Sequence, residues 1–404
     1  MQRKTVAIRK RPARPVIQKS KIRKMDRARY RRCESLVMHW REGRLVFENF
    51  ARRTISTAEP FLCTLLQFCG EPRTAPQIQS QFQLTNTVAV HRLLERLCSR
   101  GLLERTGKRV LSDPRDRAMH SWQSWNPAAG FFHFSTKDVQ FAEDPWEPIR
   151  ALQTRAKGDP MPEPLKQYPK SPKIKLDRLQ STAEFPRVLR DRRTWRKYAP
   201  QPVELSQLAV ALELTFGIQG WVNVPGLGKA AMKTSPSGGS LHPIEAYVLA
   251  MNVYRLRRGL YHYNAGTHFL ERIGDGISRS TLRRDLGHQQ WFSGAAFVIL
   301  MTAVFGRTQW KYDFARVYRG VLIEAGHLCQ TFCLAATWLG LAPFCTIALA
   351  DTKWESRLGI DGVGESVIYA AGAGRKPADE SGAHIGKLEA AAGSIPKRKR
   401  AGSR

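Results

Sequence analysis

The sequence predicts an α+β fold, with one larger domain over residues 181–378 and a small domain of helices closed by a β-hairpin over residues 36–112. Three observations predict it. Glu245 to Tyr254, Ala295 to Phe305 and Glu365 to Ala371 are short apolar, partly β-branched runs of central-strand character. Among them lie a helical stripe of Leu205, Leu208, Leu212 and Phe216 that ends at Gly217, and the long apolar stretch Arg319 to Leu341, read as a buried helix. Upstream, Leu62, Leu65 and Leu66 share one helical face, and Val90, Leu93, Leu94 and Leu97 follow the i, i+3, i+4, i+7 spacing of another.

Taken in chain order, residues 1–35 read as a basic disordered tail. Residues 1–32 hold fourteen basic side chains against one acid, Asp26, and too little apolar surface to offset ordering entropy. In the small domain, Gly70, Pro72 and Pro76 separate the first helix from a short amphipathic segment, Gln77 to Phe82. Ser99 to Glu104 reads as a helix stop leading into a strand, and Gly107-Lys108 as a hairpin turn. Three helices and a hairpin resemble a winged helix-turn-helix. The third helix, TVAVHRLLERLCSR, lacks the run of Asn, Gln and Arg that base-edge contact favours, so a protein or peptide partner is preferred to DNA. Residues 113–180 form a connector whose prolines forbid long helices, although Ala128 to Phe141 is apolar enough to pack back on the main domain. Residues 379–404 are a second basic tail.

The 404 residues, 42% of them hydrophobic, can bury a sizeable core, and the formal net charge of +31 comes from 65 Lys and Arg against 34 Asp and Glu. Much of that excess sits in the two tails, where nucleic-acid contact is a conceivable but disfavoured use. The seven cysteines form no pair of CxxC knuckles, so no metal and a reducing, cytoplasmic setting are expected. No secretory signal is evident. Val321 to Cys345 is apolar, but Glu324, His327 and Gln330 interrupt it, which argues for a core helix and not a membrane span.

Three clusters carry chemistry. Arg192, Arg193, Thr194 and Arg196 offer guanidinium forks and a hydroxyl suited to a phosphate dianion. Pro236-Ser237-Gly238-Gly239-Ser240, leading into a strand, lets backbone amides approach a planar ligand; it is neither a GxGxxG fingerprint nor a Walker A loop. Lys311 and Tyr312 are acid/base candidates. Taken alone, each has a blander reading, as a solvated face, a tight turn and a loop edge. His242, His262, His268 and His288 read as loop or core histidines, and Glu324 with His327 as groups that satisfy one another or a nearby backbone atom.

The lines RRTWRKY, PSGGSLHPIEAYVL, GLYHYNAGTHFLERI, KYDFARVYRGVLIEAGHLCQTFCLAATWLGL and ESVIYAAGAGRK, in that order, resemble the nitroreductase superfamily over about half the chain. More narrowly they resemble the FMN-dependent azoline dehydrogenases of thiazole/oxazole-modified peptide pathways, the SagB/ThcOx group, which FFHFSTKD in the connector also fits. The resemblance implies a nitroreductase-like FMN domain behind a winged-helix domain that grips a peptide. It implies FMN held by Arg192, Arg193, Thr194, Arg196, the Pro236–Ser240 loop and Arg375, with Lys311 and Tyr312 as the catalytic pair. It also implies proton removal from an azoline, hydride delivery to FMN, reoxidation by oxygen, a homodimer and association with a cyclodehydratase. Reducing members of the superfamily carry a Glu-Gly pair where this chain has Ile347-Ala348, which argues against an NAD(P)H-driven reductase. A nitroreductase-fold flavin reductase on another small molecule and a nucleic-acid-binding winged-helix protein are the alternatives.

Overall fold

A computed structural model describes residues 28–106, 119–144, 146–159, 179, 181–225 and 228–378. The expected hairpin turn at Gly107-Lys108, residues 113–118, 145, 160–178 and 180 of the Pro-rich connector, residues 1–27 of the first basic tail and the whole of the last lie outside them. The chain divides into two compact units, Met1–Ser135 and Thr136–Arg404.

In the first unit, β1 (Arg29–Arg32), β2 (Leu36–Arg41), β3 (Arg44–Asn49) and β4 (Thr54–Thr57) precede α1 (Pro60–Phe68), β5 (Arg73–Thr74), α2 (Ala75–Gln81), α3 (Thr87–Ser99), β6 (Leu103–Thr106) and α4 (Ala128–Ser135). The three expected helices are present. Thr74 closes a capping box with Gln77 at the start of α2, and the Asn86 side chain caps α3. Their apolar faces meet around fully buried Leu65, Ile78 and Leu94. Two expectations are corrected here. Arg29–Arg32 was placed in a disordered tail, yet it is the central strand of the sheet β5-β1-β6, because Tyr30, 0% exposed, supplies the one large apolar group of that basic stretch. The apolar segment Ala128 to Phe141 was expected to pack as a whole on the main domain. It is divided instead: α4 stacks Phe134 on Phe50 inside the first unit, while Lys137 and Asp138 begin the second. The meander β2-β3-β4 went unread in the sequence.

The second unit contains α5 (Glu147–Arg155), α6 (Glu184–Asp191), β7 (Val203–Glu204), α7 (Leu205–Phe216), β8 (Gly220–Val224), β9 (Gly228–Met232), β10 (Ile244–Ala250), β11 (Val253–Tyr254), β12 (Gly259–Asn264), β13 (Phe269–Asp275) and α8 (Arg279–Asp285). β14 (Phe297–Val304), α9 (Phe305–Gln309), α10 (Tyr318–Trp338), β15 (Leu341–Thr346), α11 (Asp351–Leu358) and β16 (Glu365–Arg375) complete it. Six strands form one antiparallel sheet in the order β13-β12-β10-β14-β16-β15. The runs predicted as central strands are its middle, and β14 is buried along nearly its whole length. Val298 and Leu300 of β14 join Phe344, Trp354 and Leu282 in the core on one face, whereas Phe297 meets Phe332 of α10 on the other. α10 buries Val321, Ala325, Leu328, Phe332 and Ala336 at helical spacing. The long apolar run expected to be helix through Leu341 changes at Gly340, whose φ of 71° stops the helix so that Leu341–Thr346 becomes the edge strand β15. Gly217 ends α7 for a steric reason: its φ is −63°, but an added Cβ would lie 2.5 Å from the Glu213 carbonyl oxygen. Among the described residues, no helix is long and apolar enough to cross a membrane.

Candidate active site

The glycine loop and the Lys-Tyr pair, seventy residues apart in sequence, meet in space. β14 runs into the short helix α9, and Tyr312 closes its end by donating its N–H to the Thr308 carbonyl at 3.0 Å. This places Lys311 and Tyr312 over the loop between β9 and β10. A Cβ built on Gly239 would stand 2.7 Å from Lys311 Nζ and 3.0 Å from Tyr312 Oη. Gly239 has φ 70°, so glycine is required there both by backbone conformation and by this approach. Ser240 and His242 also hold positive φ, at 57° and 43°, each at a cost of about 1–3 kcal/mol that the surroundings must offset.

Those surroundings can be named. The Ser237 hydroxyl accepts the His242 N–H at 2.8 Å, and buried Glu324 on α10 lies against Ser237 and Gly238, whose polar groups act on its carboxyl. Glu324, not His327, therefore faces the loop; the His327 side chain is on the exposed side of α10. Burial pushes the Glu324 carboxyl up and the His242 imidazole down, and the two face each other at 3.9 Å. From the other side, Arg307 of α9 donates to the His242 carbonyl at 2.8 Å and pairs with Glu245 at 2.5 Å. Glu245 in turn meets His262 at 3.2 Å, and His262 meets Glu271 at 2.9 Å. One five-residue helix thus presents the Lys-Tyr pair and, through Arg307, anchors the exit of the loop that the pair overhangs.

The hydrogen bond to Glu245, opposed by burial and aided by Glu271, raises His262 to about 9 from its ordinary 6.5. A raised folded-state value contributes stability that is complete below about pH 6.5 and is lost as pH climbs through about 9. The thermal midpoint is therefore expected to fall between pH 7 and pH 10, and His262→Gln should flatten that slope in the same melting series.

The basic cluster is assembled elsewhere. Trp195 donates its N–H to the Pro343 carbonyl on β15 at 2.9 Å, and Ala199 donates to the Arg375 carbonyl at 3.0 Å. The segment is thereby laid along the edge strand β15, with Ala199 at Arg375 and the charge of Arg192 acting on Cys345. Arg196 is half-buried, and desolvation lowers its proton affinity. Among the described residues, no carboxylate pairs with Arg192, Arg196 or Arg375. Guanidinium groups without a carboxylate partner fit a phosphate. Arg193 differs: it is exposed and donates to the Arg190 and Arg192 carbonyls at 2.5 and 2.8 Å, closing the end of α6.

Phe305, which opens α9, donates to the Gly364 carbonyl beside the start of β16, whereas Arg375 ends that strand, about 33 Å of extended chain further on. Arg307, Glu245, Glu324 and His262 were not assigned to the site from sequence. The polar residues directly after the apolar run of β14 were the available signal for Arg307.

An open glycine loop beneath a Lys-Tyr pair, on an antiparallel sheet with a separate phosphate-type cluster, defines a flavin-type oxidoreductase. The nitroreductase family model matches residues 189–375. MJ1384, a nitroreductase-like protein of Methanocaldococcus jannaschii, is 31% identical over 166 residues, 41% of this chain and 79% of that protein. The trifolitoxin-processing protein TfxB of Rhizobium leguminosarum bv. trifolii is 31% identical over 180 residues, 43% of this chain and 48% of that one. The microcin B17-processing protein McbC of Escherichia coli is 32% identical over 132 residues, 31% and 48% of the two chains. This chain thus spans about half the length of the two processing proteins. It belongs to the nitroreductase family and is an oxidoreductase.

Proposed function

We propose that the protein is an FMN-dependent dehydrogenase that converts azoline rings in a modified peptide to azoles. The approach of Lys311 Nζ and Tyr312 Oη to the exposed backbone of Gly239 carries this reading, because it sets two proton-handling groups against a surface open to a flat ring. The similarity to two proteins that process trifolitoxin and microcin B17 supports a peptide substrate.

Arg192, Thr194, Arg196 and Arg375 would hold the FMN phosphate and ribityl chain, and the backbone of Ser237 to Ser240 would lie along the ring. Arg193, committed to the end of α6, is left a supporting part. When bound, FMN supplies the acceptor for the hydride that leaves the azoline carbon. The chain's own task is the proton: Tyr312 or Lys311 takes it from the neighbouring α-carbon, so the ring loses two hydrogens and becomes aromatic. A second copy would complete each site, one protomer giving the guanidinium groups and its partner the loop and the Lys-Tyr pair, a reading supported by Arg375 and the start of α9 lying at opposite ends of β16. The first unit, read as a winged helix, would grip the peptide, and a cyclodehydratase that makes the azoline is the expected associate.

Denaturing the purified full chain is expected to release FMN, and the native protein should convert a thiazoline- or oxazoline-bearing peptide to the azole without added nicotinamide. A colourless protein that takes up no FMN would overturn the assignment. A yellow protein that oxidises NAD(P)H with a nitroaromatic acceptor and ignores azolines would replace it with a flavin reductase.

A further inference from the structure

Three of the seven cysteines, which the proposed reaction does not use, converge on one point. Cys329 and Cys333 lie one turn apart on α10, and Cys345 faces them from β15; their sulfurs all lie within 4.8 Å of one another. Cys329 and Cys333 are buried, at 3% and 4% exposure, and Cys345 is half-buried, which leaves a path from solvent. The Tyr369 hydroxyl on β16 acts on the sulfurs of Cys345 and Cys329, and the positive charge of Arg192 acts on Cys345.

We propose that Cys329, Cys333 and Cys345 form a thiolate site for a divalent d10 cation of the zinc class. Tetrahedral sulfur ligands about 2.3 Å from such an ion lie about 3.8 Å apart, a spacing that three sulfurs within 4.8 Å reach by small side-chain rotations. A disulfide between the two helical cysteines suits the geometry less well. Residues four apart on a helix hold their Cβ atoms about 5–6 Å from each other, beyond the roughly 3.5–4.5 Å that a disulfide spans, whereas both can reach one ion. Charge favours a divalent ion over a monovalent one. Three thiolates and a dication leave a single negative charge for Arg192 to balance, while a monovalent ion would leave two inside a largely apolar layer. Binding forms three metal–sulfur bonds and breaks three S–H bonds, and the protons pass to solvent. Tyr369 then supports the thiolates as an O–H donor. The sulfurs tie α10 to the edge strand, so an ion would brace the layer against which the Arg192 segment is laid.

The test uses the full chain with zinc and cadmium ions as probes and does not depend on flavin. The reduced protein, freed of metal and given Zn2+, should retain about one equivalent through gel filtration. The ion should protect the peptides carrying Cys329, Cys333 and Cys345 from alkylation, and not those carrying Cys33, Cys63, Cys69 and Cys98. Cd2+ should produce a thiolate charge-transfer band in the ultraviolet. Cys345→Ser, at the half-buried position, should abolish retention and band in a protein with an unchanged circular dichroism spectrum, and Tyr369→Phe should weaken binding by roughly 10- to 100-fold. Failure of the native chain to retain Zn2+, protection of other cysteines, or an undiminished band in Cys345→Ser would each overturn the site. The native-chain measurements decide the question even if the variant does not fold.

Discussion

Replacing Tyr312 by Phe, or Lys311 by Ala, is expected to lower azoline turnover by roughly 10²–10⁴-fold, the usual loss when a general acid or base is removed. The flavin should stay bound. Tyr312→Phe deletes one oxygen and keeps the ring, which stands edge-on to Phe314 at 6.0 Å, so the local packing survives. Lys311 places its ammonium 5.5 Å from the centre of the same ring, and both groups overhang Gly239. The double variant should therefore lose less than the product of the single losses, because the two side chains act on one proton as a unit. Turnover under saturating peptide, read beside the flavin absorbance of the same sample, checks the expectation. A variant that loses colour in step with activity would make the pair part of the cofactor cradle instead. The fall should appear in kcat, with KM little changed, since neither group lies in the first unit, the one proposed to grip the peptide.

The sequence revealed strands where burial made them uniform and hid them where it did not. β10, β14 and β16 are apolar because the sheet covers them on both faces, so their periodicity could be read directly. β13, at the edge, is mostly exposed and carries Glu271, Arg272 and Asp275; nothing in such a run separates a strand from a loop. β1 was lost among arginines, its role resting on the single side chain of Tyr30. The same logic governs the site. The residues that would touch a ligand were legible as motifs, because glycines, a Lys-Tyr pair and an arginine run each have a recognisable chemistry. Those that hold the ligand-facing residues in place were not, since Arg307 donates to the His242 carbonyl and Glu324 lies against Ser237 and Gly238, contacts made only by the folded chain. The cysteine cluster escaped for a related reason. Two of its members are spaced for a helix turn and the third lies on the next strand, so no local knuckle marks it.

The largest effect is expected from mixing two inactive chains. Arg196→Ala removes a half-buried guanidinium from the proposed phosphate cluster, and a charge-assisted hydrogen bond of about 1.5–3 kcal/mol converts to a loss of roughly 10- to 150-fold in FMN affinity. At limiting FMN that chain should be nearly inactive, as Tyr312→Phe should be for want of its hydroxyl. If each site takes its guanidinium groups from one protomer and its Tyr312 from the other, a mixed dimer holds one site with both defects and one with neither. Co-expressed chains carrying different affinity tags, isolated as the mixed dimer, should then recover about half the wild-type turnover per dimer, where either parent gives almost none. The expectation rests on Arg375 and the start of α9 being attached to opposite ends of β16. Recovery would also fix the minimal active species as the dimer, so that diluting the wild type should remove activity and flavin together. A mixed dimer as inactive as its parents would mean that one chain supplies both clusters to one ligand, and the shared site would fail.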